Sequence, residues 1–356
     1  MEMTLRWYGS KDDNITLQQI RQIPGVTGVI TALFGLPAGE PWLYEDVMKV
    51  KREVEAAGLK IAGVESINIH EDIKLGAPTR DRLIDNYITS LESIGKAGIQ
   101  LVCYNFMPVF DWTRTDLAMP LADGSTVLAY DGDVIEGLSP KDMFAKIEQE
   151  SGGFVMPGWE PNRRAEIEEL FEKYKGMTHE RLLENYGYFI NRIMPTCEKY
   201  GIKMAVHPDD PAWDIFGLPR VVNSEEALLK VAALHPSKLH GFTLCTGSLG
   251  SSRDNDLVKI IRNPKIAERI HFAHLRNIKF ETDTQFHESA HLSSEGSFDM
   301  YEIVKALQEM GFDGVIRPDH GRMIWGETGR PGYGLYDRAL GAVYLEGLWE
   351  AIKKNR

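Results

Sequence analysis

The chain has 356 residues, 43% of them hydrophobic and 26% charged, and a formal net charge of -12 at pH 7. That composition can bury a large core, and its acidic balance argues against nucleic acid, whose phosphates attract basic patches. No apolar run reaches the roughly 18 residues of a membrane span.

In chain order, short runs rich in β-branched and aromatic residues read as eight strands. They are LRWYG (5–9), TGVITAL (27–33), KIAGVES (60–66), LVCYNF (101–106), KMAVHPD (203–209), GFTLCTG (241–247), IHFAHLR (270–276) and GVIRPDH (314–320). Between them, 43–58, 79–98, 179–201, 255–269 and 299–311 place apolar residues at helical spacing. Pro195 and Pro264 are expected to kink or break their helices, and Gly58, Gly98, Gly201 and Gly311 read as helix stops before a strand. Eight strands alternating with helices imply an α/β fold, a (β/α)8 TIM barrel forming one domain over 1–356, with a doubly wound open sheet as the alternative.

One region departs from this rhythm. Between the fourth and fifth strands, from Met107 to Ile202, only the last part reads as a crossover helix. The stretch 108–138 mixes aromatics, Gly and Asp, 151–164 reads as a structured loop, and 163–176 as a solvated helix face. Long irregular insertions are usually functional, so 107–180 is read as an inserted lid or an oligomer contact, with a homodimer expected.

Met1–Ser10 carries Arg6 and Trp7 where a signal peptide needs an uninterrupted apolar stretch. Cys103, Cys197 and Cys245 form no paired framework and no C-x-x-C, which fits a reducing cytoplasm. A cytoplasmic protein with no membrane partner is the expectation. Cys103 and Cys197 read as small buried hydrophobes.

The chemistry gathers at strand ends. His207, Cys245, His274 and Asp319 each close one of the last four strands, about one βα unit apart. Period-2 alternation puts Ala205, His207 and Asp209 on one face, then Thr243, Cys245 and Gly247, Phe272, His274 and Arg276, and Val315, Arg317 and Asp319. Two imidazoles, a thiolate and a carboxylate at a barrel mouth can hold a divalent transition metal. Such mixed ligation is compatible with Mn2+, Fe2+, Co2+ or Zn2+.

The motifs HPDDP (207–211), CTGSLG (245–250), HLRN (274–277), RPDHGR (317–322) and PGYGLYDRALG (331–341), with GVITALFGLPAGEPW (28–42), resemble those of the mannonate dehydratase family. The resemblance implies a xylose-isomerase-like barrel that removes water from D-mannonate to give 2-dehydro-3-deoxy-D-gluconate in hexuronate (glucuronate) breakdown. It also implies metal ligation by His207, Cys245, His274 and Asp319, with Mn2+ or Fe2+ as cofactor. Asp337 is one departure, standing where a small residue is expected.

On that reading His320 and Tyr333 are the acid/base pair, an imidazole beside a ligand and a phenol in a Gly- and Pro-rich loop. Arg276, Arg317 and Arg322 are candidate clamps for the substrate carboxylate. Asp209 and Asp210 are candidates for substrate hydroxyls, Asn105 and His70 for the same mouth, and Trp7 or Tyr8 for a substrate wall. The alternatives are a metal-dependent sugar isomerase or epimerase on the same barrel and a non-catalytic sugar-binding protein with a structural metal.

Overall fold

A computed structural model describes residues 1–151, 153–154 and 166–355. In chain order its strands are β1 (Glu2–Arg6), β2 (Val26–Thr31), β3 (Lys60–Glu65), β4 (Leu101–Tyr104), β5 (Asp116–Pro120) and β6 (Thr126–Asp131). Then come β7 (Lys203–Val206), β8 (His240–Cys245), β9 (Ile270–Leu275), β10 (Ile278–Phe280), β11 (Gln285–Glu288) and β12 (Val315–Pro318). Eight of them close a barrel in the order β1-β12-β9-β8-β7-β4-β3-β2, every neighbouring pair parallel. These are the eight strands read from the sequence, and closure rules out the open sheet.

The local reasons are those visible in the chain. Gly58, Gly98, Gly201 and Gly311 all adopt positive φ, the left-handed turn that ends a helix and releases the next strand. Helices Tyr44–Ala56, Arg80–Lys96 and Met300–Glu309 fall within the expected segments. Pro264 does break its helix, starting a new one after the Asn263 cap. Pro195 does not break its own: His179–Tyr200 runs on through it. An interior proline costs about 3 kcal/mol, offset here by a face of fully buried Phe189, Ile190, Ile193, Met194 and Cys197.

Strand alternation sorts the core. Ile30, Leu101, Cys103, Ala205 and Phe272 meet inside the barrel, while residues such as Leu5, Trp7, Val102 and Leu244 pack outward against the helices. Cys103 and Cys197 are buried and free, as expected. Among the described residues no helix is long and apolar enough to cross a membrane.

The insertion is more ordered than its composition indicates, and here the sequence reading is corrected. Its strands β5 and β6 join β10 and β11 in an antiparallel sheet, order β10-β11-β6-β5. Helices Gly132–Gly137, Pro140–Glu150 and Ile167–Tyr174 help build a second core, including Phe110, Leu117, Tyr130, Phe144 and Phe286. The helix read as a solvated face therefore has a buried side, made by Ile167, Leu170 and Tyr174. Most of the loop read over 151–164 lies outside the described residues.

Two buried histidines far from the barrel mouth make the fold acid-sensitive. His240 and His271 bond the Val231 and Lys238 carbonyls at 2.9 and 2.8 Å. Burial pushes both imidazoles down to about 4. Both are neutral in the folded chain at pH 7, and once unfolded they protonate near about 6.5. The unfolded state then holds the extra protons, so this stability is complete above about 6.5 and lost as pH falls toward 4. Each contributes about 3 kcal/mol across that window. Urea midpoints should drop between pH 7 and about pH 4.5, and drop less in His240→Gln/His271→Gln. Equal pH dependence in both proteins would remove the two histidines as its cause.

Candidate active site

The ends of β7, β8, β9 and β12 converge on one side of the barrel. His207 follows β7, Cys245 and His274 pair across β8 and β9, and Arg317 pairs with His274 from β12. The ligand atoms of His207, Cys245 and His274 all lie within 4.8 Å of one another. Asp319 Oδ2 stands 3.5 Å from Cys245 Sγ, bringing the fourth residue of the expected quartet to the same place.

The electrostatics suit a metal. Burial works against a thiolate at Cys245, but Arg276 and His207, outweighing Asp319, bring its pKa down to about 5. Burial likewise opposes charge on His207, and the Cys245 thiolate beside it lifts that imidazole to about 9. His207 Nδ1 lies 2.7 Å from the Pro208 carbonyl, which fixes it as the donor nitrogen and leaves Nε2 for coordination. His274 Nε2 is buried without a hydrogen-bond partner. A soft thiolate, two imidazole nitrogens and a carboxylate held well below its usual range by Arg317 match the donor set of a divalent transition metal. Glu65, Cys103 and His274 also cluster within 4.8 Å. Burial pushes the Cys103 thiol up, however, so that group has no ready thiolate.

Beside the cluster a histidine and a tyrosine are in contact. His320 Nε2 lies 2.8 Å from Tyr333 Oη. On its other side His320 Nδ1 stands 3.3 Å from Glu288 Oε1. Burial resists the Glu288 charge, but Arg276, His320 and Arg114 hold its pKa near 2. Burial, with Tyr8 and Asp319, pushes the Tyr333 phenol well above its ordinary value. The result is a chain of carboxylate, imidazole and protonated phenol. Trp112 covers the imidazole edge-on at 5.6 Å.

The remaining candidates divide. A cavity is lined by Arg6, Tyr8, Glu65, Asn105, Trp112, His207, Asp210, Arg317, Asp319, His320 and Tyr333, among others. Arg276 is fully buried behind it, between Asp210 at 2.6 Å, Asp319 at 3.0 Å and Glu288. Arg317 pairs with Asp319 at 2.8 Å and Glu65 at 3.2 Å. Arg322 is tied to Asp337 at 3.0 Å and Asp123 at 3.1 Å, so the unexpected Asp337 anchors the loop after β12. Asp209 accepts from the Val222 amide at 2.7 Å, and His70 caps the helix Glu71–Leu75. Arg276, Arg322, Asp209 and His70 are not among the cavity's lining residues.

Trp7 requires a correction as a substrate wall. It is 2% exposed and points into the outer core, where its indole nitrogen donates to the Ile15 carbonyl at 3.2 Å. Alternation along β1 turns Arg6 and Tyr8 inward instead. Sequence reasoning also missed Glu288 and Arg114, which come from the second sheet and its approach; Arg114 bonds Asp210 at 2.8 Å and Glu288 at 2.9 Å.

Closed barrel and strand-end donors together define the class, a (β/α)8 enzyme whose His207, Cys245 and His274 could hold a metal ion beside a histidine–tyrosine pair. The D-mannonate dehydratase family model matches residues 1–356, and the chain belongs to that family of hydro-lyases. It is 59% identical over 354 residues to the mannonate dehydratase of Brachyspira hyodysenteriae, covering 99% of each chain. It is 53% identical over 356 residues to that of Thermotoga maritima, covering 100% of this chain and 99% of the relative. The crystal structure of mannonate dehydratase from Streptococcus suis serotype 2 superposes with a TM-score of 0.90 at 45% identity, covering 100% of this chain and 95% of that one. Sugar epimerase structures align at 14% identity or less and share the fold alone.

Proposed function

We infer that the chain dehydrates D-mannonate with His320 and Tyr333 moving the protons, beside a metal held by His207, Cys245 and His274 with Asp319 as fourth donor. The observation that carries this reading is the 2.8 Å contact between His320 and Tyr333 in the same cavity wall as His207 and Asp319. A divalent metal held there would supply positive charge to offset the negative charge that develops on the substrate.

The hydrogen beside a carboxylate is weakly acidic and hydroxide leaves poorly, so both ends of the elimination need help. Glu288 accepts the Nδ1–H of His320 as a hydrogen bond and holds that tautomer, leaving Nε2 as the base toward the C2 hydrogen. Tyr333, kept protonated by its surroundings, gives its proton to the hydroxyl leaving C3. The proton on His320 then returns to the phenolate across the same 2.8 Å contact. The enol ketonises to the 2-keto-3-deoxy acid.

Mn2+ or Fe2+ is the metal this reading favours, and Arg317 orients Asp319 from within the wall. The inserted segment acts as a lid, since Trp112 and Arg114 reach His320 and Glu288 from it. A cytoplasmic homodimer completes the reading, and light scattering tests the assembly.

Turnover in D2O separates elimination from isomerisation. Elimination gives a 2-keto-3-deoxy acid carrying solvent deuterium at C3. An epimer or ketose that keeps every oxygen would transfer the site to the isomerase reading.

A further inference from the structure

The inward turn of β1 places a guanidinium where the sequence offered an indole. Arg6 is 5% exposed and lines the cavity with Tyr8, Arg317, Asp319, His320 and Tyr333. Its Nη1 is buried without a hydrogen-bond partner, and the side chain makes no ion pair with any described residue. It rests against aromatic faces, 4.9 Å from the Tyr8 ring centre and 5.6 Å from that of Phe34.

The arginines of the cavity's acidic wall are already matched to carboxylates, while Arg338, behind Arg6, is held by the carbonyls of Gly334, Arg6 and Tyr333. Arg276 has Asp210, Glu288 and Asp319, Arg114 has Asp210 and Glu288, and Arg317 has Asp319 and Glu65. Glu65 feels the field of Arg6 but pairs with Arg317. A guanidinium cannot shed its proton in a protein, and a buried charge without a partner is costly. The missing counter-charge is therefore an anion that enters from the cavity.

We propose that Arg6 is the anchor for the substrate carboxylate, a role that rests on the dehydratase reading above. Its planar fork matches a carboxylate edge to edge, and Tyr8 and Phe34 hold the plane of that fork. The clamp selects a sugar acid over a neutral polyol of the same length. It also explains how the carboxylate is held although Arg276 and Arg322 are engaged within the protein.

Calorimetric titration of Mn2+-loaded Tyr333→Phe protein, with and without a change at Arg6, by D-mannonate and, separately, D-mannitol tests the assignment, with wild-type turnover measured in parallel. Arg6→Gln should weaken D-mannonate binding roughly 10- to 100-fold while D-mannitol binding and metal content stay unchanged. Arg6→Lys, which keeps the charge but loses the fork, should fall between. Unchanged D-mannonate affinity in Arg6→Gln, or equal losses for acid and polyol, would overturn the clamp. An inactive wild type alongside an Arg6-dependent preference for the acid would remove the dehydratase reading and keep this one. An active wild type with no such dependence would do the reverse.

Discussion

His320→Asn should lower kcat on D-mannonate by roughly 10²- to 10⁴-fold, the range for loss of a positioned general base, with bound metal unchanged. Asn fills much of the imidazole volume but offers no nitrogen that can take the C2 proton. The environment supports that role: Glu288 lies 3.3 Å from Nδ1, and Tyr333 lies 2.8 Å from Nε2. Tyr333→Phe should cost a similar factor, because it keeps the ring packed edge-on to Tyr8 at 5.1 Å and deletes only the proton donor. The double variant should lose little more than either single one, since the two act as one relay. Product formation and metal content, measured on the same preparations, decide the matter. Near-normal turnover in both single variants would end the assignment.

Cys245→Ser should weaken metal binding by more than the roughly 10- to 100-fold typical of losing an outer partner of a ligand. A serine hydroxyl keeps its proton at neutral pH, whereas the Cys245 pKa of about 5 leaves a thiolate poised to bind. Volume barely changes, so the barrel should still close. Chelator should lower the wild-type Tm, because metal binds only the folded chain, and leave the variant's Tm where it was. At pH 7 the free site holds a charged His207 beside the thiolate, so metal binding should release a proton from that imidazole. Affinity should fall as pH drops below about 9, where His207 takes up its proton, and fall more steeply below about 5, where Cys245 does. Equal chelator sensitivity in wild type and variant would take Cys245 out of the ligand set.

Much of the barrel is legible in the chain because its signals are local. Short β-branched runs end on polar residues, and glycines such as Gly58 and Gly98 stop the preceding helices. The His207, Cys245 and His274 cluster is legible for the same reason, each residue closing a strand that alternation aims at the mouth. The second sheet is harder to read, because β6 pairs with β11, far along the chain. One local signal was present: Asp123–Gly124, with Gly124 at positive φ, marks the turn between β5 and β6. Glu288 has no motif around it and gains its role only when that sheet brings it to His320. Arg6 is within reach of the same alternation, which on β1 turns it to the mouth as it does the site residues of β7, β8, β9 and β12.

Turnover of D-mannonate by metal-stripped protein, before and after Mn2+ is restored, tests the central claim most directly. The account predicts no 2-keto-3-deoxy acid from the stripped protein and its appearance once the metal returns. Full-rate product without metal, or no product with any divalent metal, would contradict it.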